Sequence, residues 1–209
     1  MRTAIIIPTV PGNEYELTKC IESVIEYSKD YDYEIFIVKN DYISFSWAIN
    51  QAIKQVLTQE EDEGKILFDG IFVFNDDMIL TSKNYLRDMY EVMENNNVDL
   101  VVSEDLIRNK GEETEMCAMG FALFHPNVFL KIGLFDEQFK IGEWDDVDLS
   151  IRMKEANLKW SSINYIPWQH YKEGSRAFSK APEEKKKEIY LNKKRLNDKY
   201  KGTSWEGIW

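Results

Sequence analysis

The sequence predicts an α/β domain: a mostly parallel central sheet flanked by helices, with a helical extension at its C-terminus. Three observations carry that expectation. Short β-branched and aromatic runs alternate with segments whose apolar residues recur at helical spacing, and parallel strands need such crossover connections. The chain has 209 residues, the size of one domain with a sizeable core. Its last stretch is rich in Lys and Glu, with apolar residues again at helical spacing.

Taken in order, Ala4 to Ile7 is an apolar strand closed by Pro8, and Leu17, Cys20, Ile21, Val24 and Ile25 mark a helix after it. Ile35 to Val38 is a second strand. Phe45, Ala48, Ile49, Ala52, Ile53, Val56 and Leu57 form the apolar face of a second helix. An acidic loop, Glu60 to Glu63, precedes a third strand at Ile71 to Phe74. Leu86, Met89, Tyr90 and Met93 give a third helix, and Leu100 to Ser103 a fourth strand. Beyond it come a polar loop (Arg108 to Glu115), an apolar run (Met116 to Phe124) and a short helix after Pro126. A helix continued by Leu149, Ile151 and Met153 follows, and the tail carries Ile189, Leu196 and Tyr200 at helical spacing.

Composition excludes several classes. At 44% hydrophobic and 13% aromatic residues the chain is too rich in core formers to be disordered, and no apolar run reaches the ~20 residues of a membrane span. The first apolar run is too short for a signal peptide, so a cytoplasmic protein is expected. Cys20 and Cys117 lack the spacing of a zinc or redox pair and read as inert core residues. A net charge of -11 argues against a nucleic-acid partner, because such binding rests on neutralising phosphates with cations. The charge is uneven: residues 172–201 carry 11 basic against 5 acidic side chains. That basic tail is expected either to meet something anionic or to present a solvated helix face.

Ligand sites in open α/β sheets lie beyond the carboxyl ends of the strands. Thr9 and Val10 follow the first strand, Asn40 and Asp41 the second, and Asn75, Asp76 and Asp77 the third. Adjacent carboxylates repel one another unless a cation sits between them, and hard oxygen ligands suit Mg²⁺ or Mn²⁺, which can bridge a diphosphate. The same residues could simply cap a turn. No Gly-x-x-x-x-Gly-Lys loop and no Gly-x-Gly-x-x-Gly is present, which excludes those two nucleotide sites. A second group of acids, Glu143, Asp145, Asp146 and Asp148, opens a helix, where the dipole favours them. Trp144 beside them suits stacking on a sugar ring, and a carboxylate there can take a proton from a hydroxyl. His170 is one of only two histidines; a lone histidine is commonly structural.

Ile5-Ile6-Ile7-Pro8-Thr9, Asn75-Asp76-Asp77, Gly120-Phe121-Ala122, Ile132-Gly133-Leu134-Phe135-Asp136-Glu137 and Trp144-Asp145-Asp146-Val147-Asp148-Leu149-Ser150-Ile151-Arg152, in this order, resemble family 2 glycosyltransferases. The resemblance runs from residue 4 to about residue 201. It implies a glycosyltransferase A-type fold with a Rossmann-like sheet, an inverting mechanism, a divalent metal (Mn²⁺ or Mg²⁺) and a nucleoside-diphosphate sugar donor, UDP being favoured. Asn75-Asp76-Asp77 takes the place of the Asp-x-Asp motif, which implies Asp77 as metal ligand, with Asn75 and Asp76 near ribose and metal. Asp146 resembles the catalytic base. The histidine 24 residues later, His170, resembles the metal-binding histidine of galactofuranosyltransferases. On the same footing Thr9, Val10, Asn40, Asp41 and Asn50 are expected on the donor side, and Gly120, Trp144 and Asp145 on the acceptor side.

Two residues depart from the family pattern: Lys39 stands where an Asp commonly reads the nucleobase, leaving Asn40 or Asp41 as substitutes, and Asn75 opens the Asp-x-Asp position. The implied organisation is a catalytic domain over 1–170, with a nucleotide-binding half (1–103) and an acceptor-side half (104–170), followed by a flexible loop and basic helix over 171–209. Lys172 or Arg176 would assist the leaving group as a loop from Tyr171 to Ser179 closes on a Gly174-Ser175 hinge. The acceptor would be a glycan, lipid-linked or protein-linked. The tail, with Trp205 and Trp209, would rest on an anionic membrane surface or on a second copy of the chain. The competing readings are a metal-dependent nucleotidyltransferase, against which the loop Pro8 to Asn13 lacks a basic pair, and a non-catalytic nucleotide- or sugar-binding module.

Overall fold

A continuous apolar run makes β1 (Arg2–Thr9) the buried strand around which the sheet is laid, while β2 (Asp32–Lys39) beside it is exposed at intervals, as an edge strand must be. The computed structural model describes residues 1–59, 66–103, 106–108, 115–171 and 181–207. Six strands form the central sheet in the order β2, β1, β3 (Gly70–Phe74), β8 (Phe121–Phe124), β5 (Leu100–Val102), β9 (Trp160–Ser162). All run parallel except β8, which lies antiparallel between β3 and β5. Two short pairs complete the strands: β4 (Met78–Leu80) with β10 (Trp168–His170), and β6 (Leu106–Arg108) with β7 (Glu115–Cys117).

Alternation along the strands divides the core into two layers. Ala4, Ile6, Ile71 and Val73 face α2 (Phe45–Thr58), α4 (Asn127–Ile132) and α5 (Asp145–Glu155). Ile5, Ile7, Phe72 and Phe74 face α1 (Glu14–Tyr27) and α3 (Tyr85–Asn96). The expected strands and helices are thus present on both faces of the sheet. The reversed β8 and the short strands β4, β9 and β10 are additions: a wholly buried four-residue strand has no period to reveal its direction, and three residues are too few to show one. The acidic loop at 60–63, residues 109–114 of the polar loop, Lys172, Gly174, Ser175, Arg176 and Trp209 lie outside the described residues. No helix among the described residues is long and apolar enough to cross a membrane.

The tail folds as α6 (Glu183–Lys199), and the stripe read from the sequence is its inner face: Ile189, Leu196 and Tyr200 are buried. Leu196 and Tyr200 join Phe139, Val147 and Ile151 in a third apolar cluster. Beneath it the fully buried Asp148 accepts from Arg152 Nε (2.9 Å) and the Tyr200 hydroxyl (2.8 Å), with Lys199 Nζ at 2.6 Å. Removing the carboxylate takes the buried counter-charge from Arg152, while Lys199 keeps its pair with Asp136. Asp148→Ala should therefore cost about 3 kcal/mol, the lower end of ~3–5 kcal/mol for breaking a buried pair, since Lys199 keeps some solvent. Chemical denaturation of the variant measures it.

Several cations of the tail reach along the surface to the body of the domain. Lys185 donates to the Asp41 carbonyl (2.6 Å), Lys193 stands 5.3 Å from the Trp144 ring centroid and Lys199 also pairs with Asp136. The exposed positions of α6 include Lys187, Lys194, Tyr190 and Leu191.

Candidate active site

The parallel register of β1, β2 and β3 ends the three strands at one edge, so Thr9, Val10, Asn40 and Asn75 leave the sheet side by side. The antiparallel β8 begins at that same edge, and the Asn75 amide donates to the Gly120 carbonyl (3.1 Å). Glycine is required at 120 by space: a β-carbon there would stand 2.7 Å from Asn75 Nδ2. Asn75 Oδ1 is buried and has no hydrogen-bond partner, an acceptor held ready for a ligand. Gly120→Ala should push that carboxamide aside, so any affinity the unmutated protein shows for Mn²⁺ or a nucleotide should fall on the order of tenfold with little change in melting temperature. Titration calorimetry on the variant checks it.

After Asn75 the chain turns into β4, whose pairing with β10 sets His170 opposite Met78. The Tyr171 amide donates to the Asp77 carbonyl (2.9 Å), and His170 Nδ1 stands 3.7 Å from Asp77 Oδ2. That is too long for a hydrogen bond; it is a span one cation could bridge with bonds of ~2.1 Å to each. Asp76 is buried and accepts from Asn13 Nδ2 (3.0 Å). Behind the acids lies Cys20, its thiol 3.6 Å from the Asn75 carbonyl oxygen; burial first, then Asp76 and Asp77, push its pKa well up, so it stays a neutral thiol. Among the described residues no group of three or more His, Cys, Asp and Glu side chains is arranged to hold a metal; Asp77 and His170 supply two donors.

The opposite wall is the start of α5. Its approach is strained: Ile141 (φ 68°), Glu143 (φ 68°) and Trp144 (φ 71°) are all left-handed without being glycine, at ~1–3 kcal/mol each. The turn is tied to the segment before α2 by Ile141 N to the Ile43 carbonyl (3.2 Å) and Phe45 N to the Ile141 carbonyl (3.1 Å). Ser46 Oγ donates to Asp145 Oδ2 (2.9 Å), and Val147 N to Asp146 Oδ1 (2.8 Å). Burial raises both carboxyls above the ordinary carboxylate range, and for Asp146 the neighbouring Asp145 adds to it.

Between these walls lies a cleft of about 370 Å³. It gathers Thr9, Val10, Asn40, Asn75, Asp76, Asp77, Gly120, Asp145, Asp146 and His170 from the expected set. Three expected residues stand elsewhere. Asp41 is exposed, and its carbonyl serves Lys185. Asn50 donates to the Phe135 carbonyl and Glu137 and accepts from Phe135 N, so its amide fixes the 135–137 segment. Trp144 turns its ring to Lys193. Asn40 reaches the cleft, yet its side-chain oxygen accepts from the amides of Ile43 (2.7 Å) and Ser44 (3.2 Å) and is not available to read a base. The sequence did not point to Trp168, Ser103 or Ile189 as wall residues, although all three line the cleft. Trp168 stacks near Phe121 (6.3 Å between centroids) and donates to Ser103 Oγ (3.2 Å).

No protein-family model and no curated protein sequence matches the chain. Solved structures do. The catalytic domain of Drosophila β1,4-galactosyltransferase 7 in complex with xylobiose superposes with a TM-score of 0.64 at 16% identity, over 90% of this chain and 79% of that one. The fold is of the glycosyltransferase A type. A mutant of the same Drosophila enzyme, in complex with manganese, UDP-Gal and xylobiose, superposes with a TM-score of 0.63 at 15% identity over the same shares. In the glycosyltransferase A-type fold of this chain, the cleft opens where the first three strands end.

Proposed function

We propose that the protein is a metal-dependent inverting glycosyltransferase, moving a sugar from a nucleoside-diphosphate sugar to an acceptor hydroxyl. One observation carries the reading: Asp76, Asp77, Glu143, Asp145 and Asp146 line the cleft, and none of its described lining residues is Lys or Arg. A diphosphate cannot settle among five carboxylates unless a cation accompanies it. Asp77 and His170 would hold a divalent ion, Mn²⁺ or Mg²⁺, with the unpartnered Asn75 oxygen nearby, and the ion would supply the charge that offsets the diphosphate.

The remaining chemistry falls to the chain itself. Asp146, with its raised proton affinity and one oxygen fixed by the Val147 amide, takes the proton of the acceptor hydroxyl. Ser46 holds Asp145 in place beside it. Phe121, Trp168, Met119 and Ile141 give the cleft apolar walls that keep water from competing with the acceptor. UDP is the favoured nucleotide and a glycan, lipid-linked or protein-linked, the acceptor class; the manganese, UDP-Gal and xylobiose bound to the Drosophila enzyme support both. In this reading residues 1–103 form the nucleotide-binding half, and 104–170 the acceptor side.

The test is thermal shift with Mn²⁺ and each common nucleoside diphosphate in turn, followed by assay of the matching nucleotide sugars. A ligand held by the native state raises the melting temperature. A stabilisation that needs both the metal and one nucleotide is the result expected; no stabilisation by any pair overturns the reading.

A further inference from the structure

The C-terminal helix does more than cover the core, and one residue on its inner face shows how. Asn192 is fully buried, and every partner of its side chain but one belongs to the strained turn that leads into Asp145 and Asp146. Its Oδ1 accepts from Lys140 N (3.1 Å), and also from Arg195 Nη1 (2.7 Å) on its own helix. Its Nδ2 donates to the carbonyls of Lys140 (2.9 Å), Gly142 (2.7 Å) and, more weakly, Glu143 (3.3 Å). A left-handed stretch cannot satisfy these groups through a helix or sheet ladder, so they need a side chain that donates and accepts at once, which a carboxamide does. Ile189, one turn earlier on α6, lines the cleft itself.

We infer that Asn192 is a positioning residue for the Asp145–Asp146 pair: it clamps the 140–143 turn from the α6 side, while residues 43–46 hold it from the other. This rests on the reading of Asp146 as the base. The metal and nucleotide side of the cleft hangs on β3, β4 and β10, none of which Asn192 touches, so loss of the clamp should separate turnover from nucleotide binding.

Asn192→Ala removes all five bonds. Asn192→Asp keeps the volume and the acceptor for Lys140 N but loses the donors to the three carbonyls. Amide hydrogen exchange reads the clamp independently of activity. In the unmutated protein the amides of Lys140 and Ile141, which donate to Asn192 Oδ1 and the Ile43 carbonyl, should be protected well above those of an open loop. In both variants these two amides should lose at least about tenfold in protection while α1 and α3 keep theirs. Affinity for UDP with Mn²⁺ should stay within about twofold, and UDP release from UDP-galactose should fall on the order of 100-fold in kcat with Asn192→Ala and at least as far with Asn192→Asp, whose second oxygen would face three carbonyls, as expected of a misplaced catalytic group. If the turn exchanges freely in the unmutated protein, or if a folded variant keeps both protection and turnover, the inference fails; the first of these decides even if neither variant folds. If the unmutated protein binds no nucleoside diphosphate with Mn²⁺ and turns over no nucleotide sugar, it is the proposed function that is lost, and exchange alone still decides the clamp; if it takes a nucleotide other than UDP, that nucleotide and its sugar replace UDP and UDP-galactose in the same measurements.

Discussion

Asp146→Asn should lower turnover by at least two orders of magnitude while nucleotide binding stays within about twofold, the effect expected when a positioned general base contributes ~10²–10⁴-fold. The substitution is nearly isosteric, and the Asn oxygen can still accept from the Val147 amide, so the N-terminal turn of α5 keeps its geometry. Two further measurements separate a base from a merely structural acid. Only the ionised carboxylate can take a proton, and burial with Asp145 beside it raises its pKa above the usual ~3.9. On the proposed function, the kcat/KM of the unmutated protein should therefore rise with pH through a value above the ordinary carboxylate range. The second measurement is stability. A folded-state pKa above the unfolded one means that the native protein holds the proton more tightly, so stability present in acid declines as pH rises from the unfolded toward the folded pKa. Asn at 146 escapes that loss and should raise the melting temperature at neutral pH relative to the unmutated protein. Wild-type turnover in a folded Asp146→Asn variant would remove it as the base.

What could be read from the sequence was whatever a short window determines. The runs at 4–7, 35–38 and 71–74 and the apolar stripes after them each contain their own period, and their alternation implies a parallel sheet. Because ligands collect where such strands end, Thr9, Val10 and Asn75 to Asp77 could be placed from spacing alone. His170 could not: it meets Asp77 only through two three-residue strands that pair across ninety positions, and the family resemblance rather than any pattern pointed to it. Side chains that stand outside the cleft, or are tied up by their neighbours within it, are placed for a related reason. Asn50 sits on a correctly read helix, but which way its amide turns depends on Phe135, 85 residues away. Asn40 follows its strand as expected, then closes a turn on Ile43 and Ser44, as a short amide often does. Trp144 is carried away from the cleft by a left-handed backbone that no propensity would forecast. Asn192 falls on the apolar stripe of Ile189, Leu196 and Tyr200, which signals its burial, but its partners at 140–143 lie some fifty residues away and no local pattern names them.

Loss of the metal-side carboxylate should be more severe than any other change to binding. Asp77→Ala is expected to leave no measurable metal-dependent nucleotide affinity, whereas His170→Ala should weaken it by about 10–100-fold. The asymmetry follows from charge and burial. Asp77 is 7% exposed and brings a formal negative charge to the cleft, where the proposed metal would be held against the pull of a diphosphate; His170 would offer an imidazole from a side chain that is 45% exposed, and water could take its place. The backbone tie between the two strands is untouched in either variant, because it is the Asp77 carbonyl, not the side chain, that accepts from Tyr171 N. Both proteins should therefore fold, which circular dichroism confirms before calorimetry with UDP and Mn²⁺ is read. Asn75 offers a graded control: Asn75→Asp adds the carboxylate that the usual Asp-x-Asp position carries, and should tighten metal binding while making the cleft more dependent on it. If UDP binds the unmutated protein equally well with and without a chelator, the carboxylates are not a metal site, and a diphosphate would have to be neutralised by cations that the described cleft does not contain.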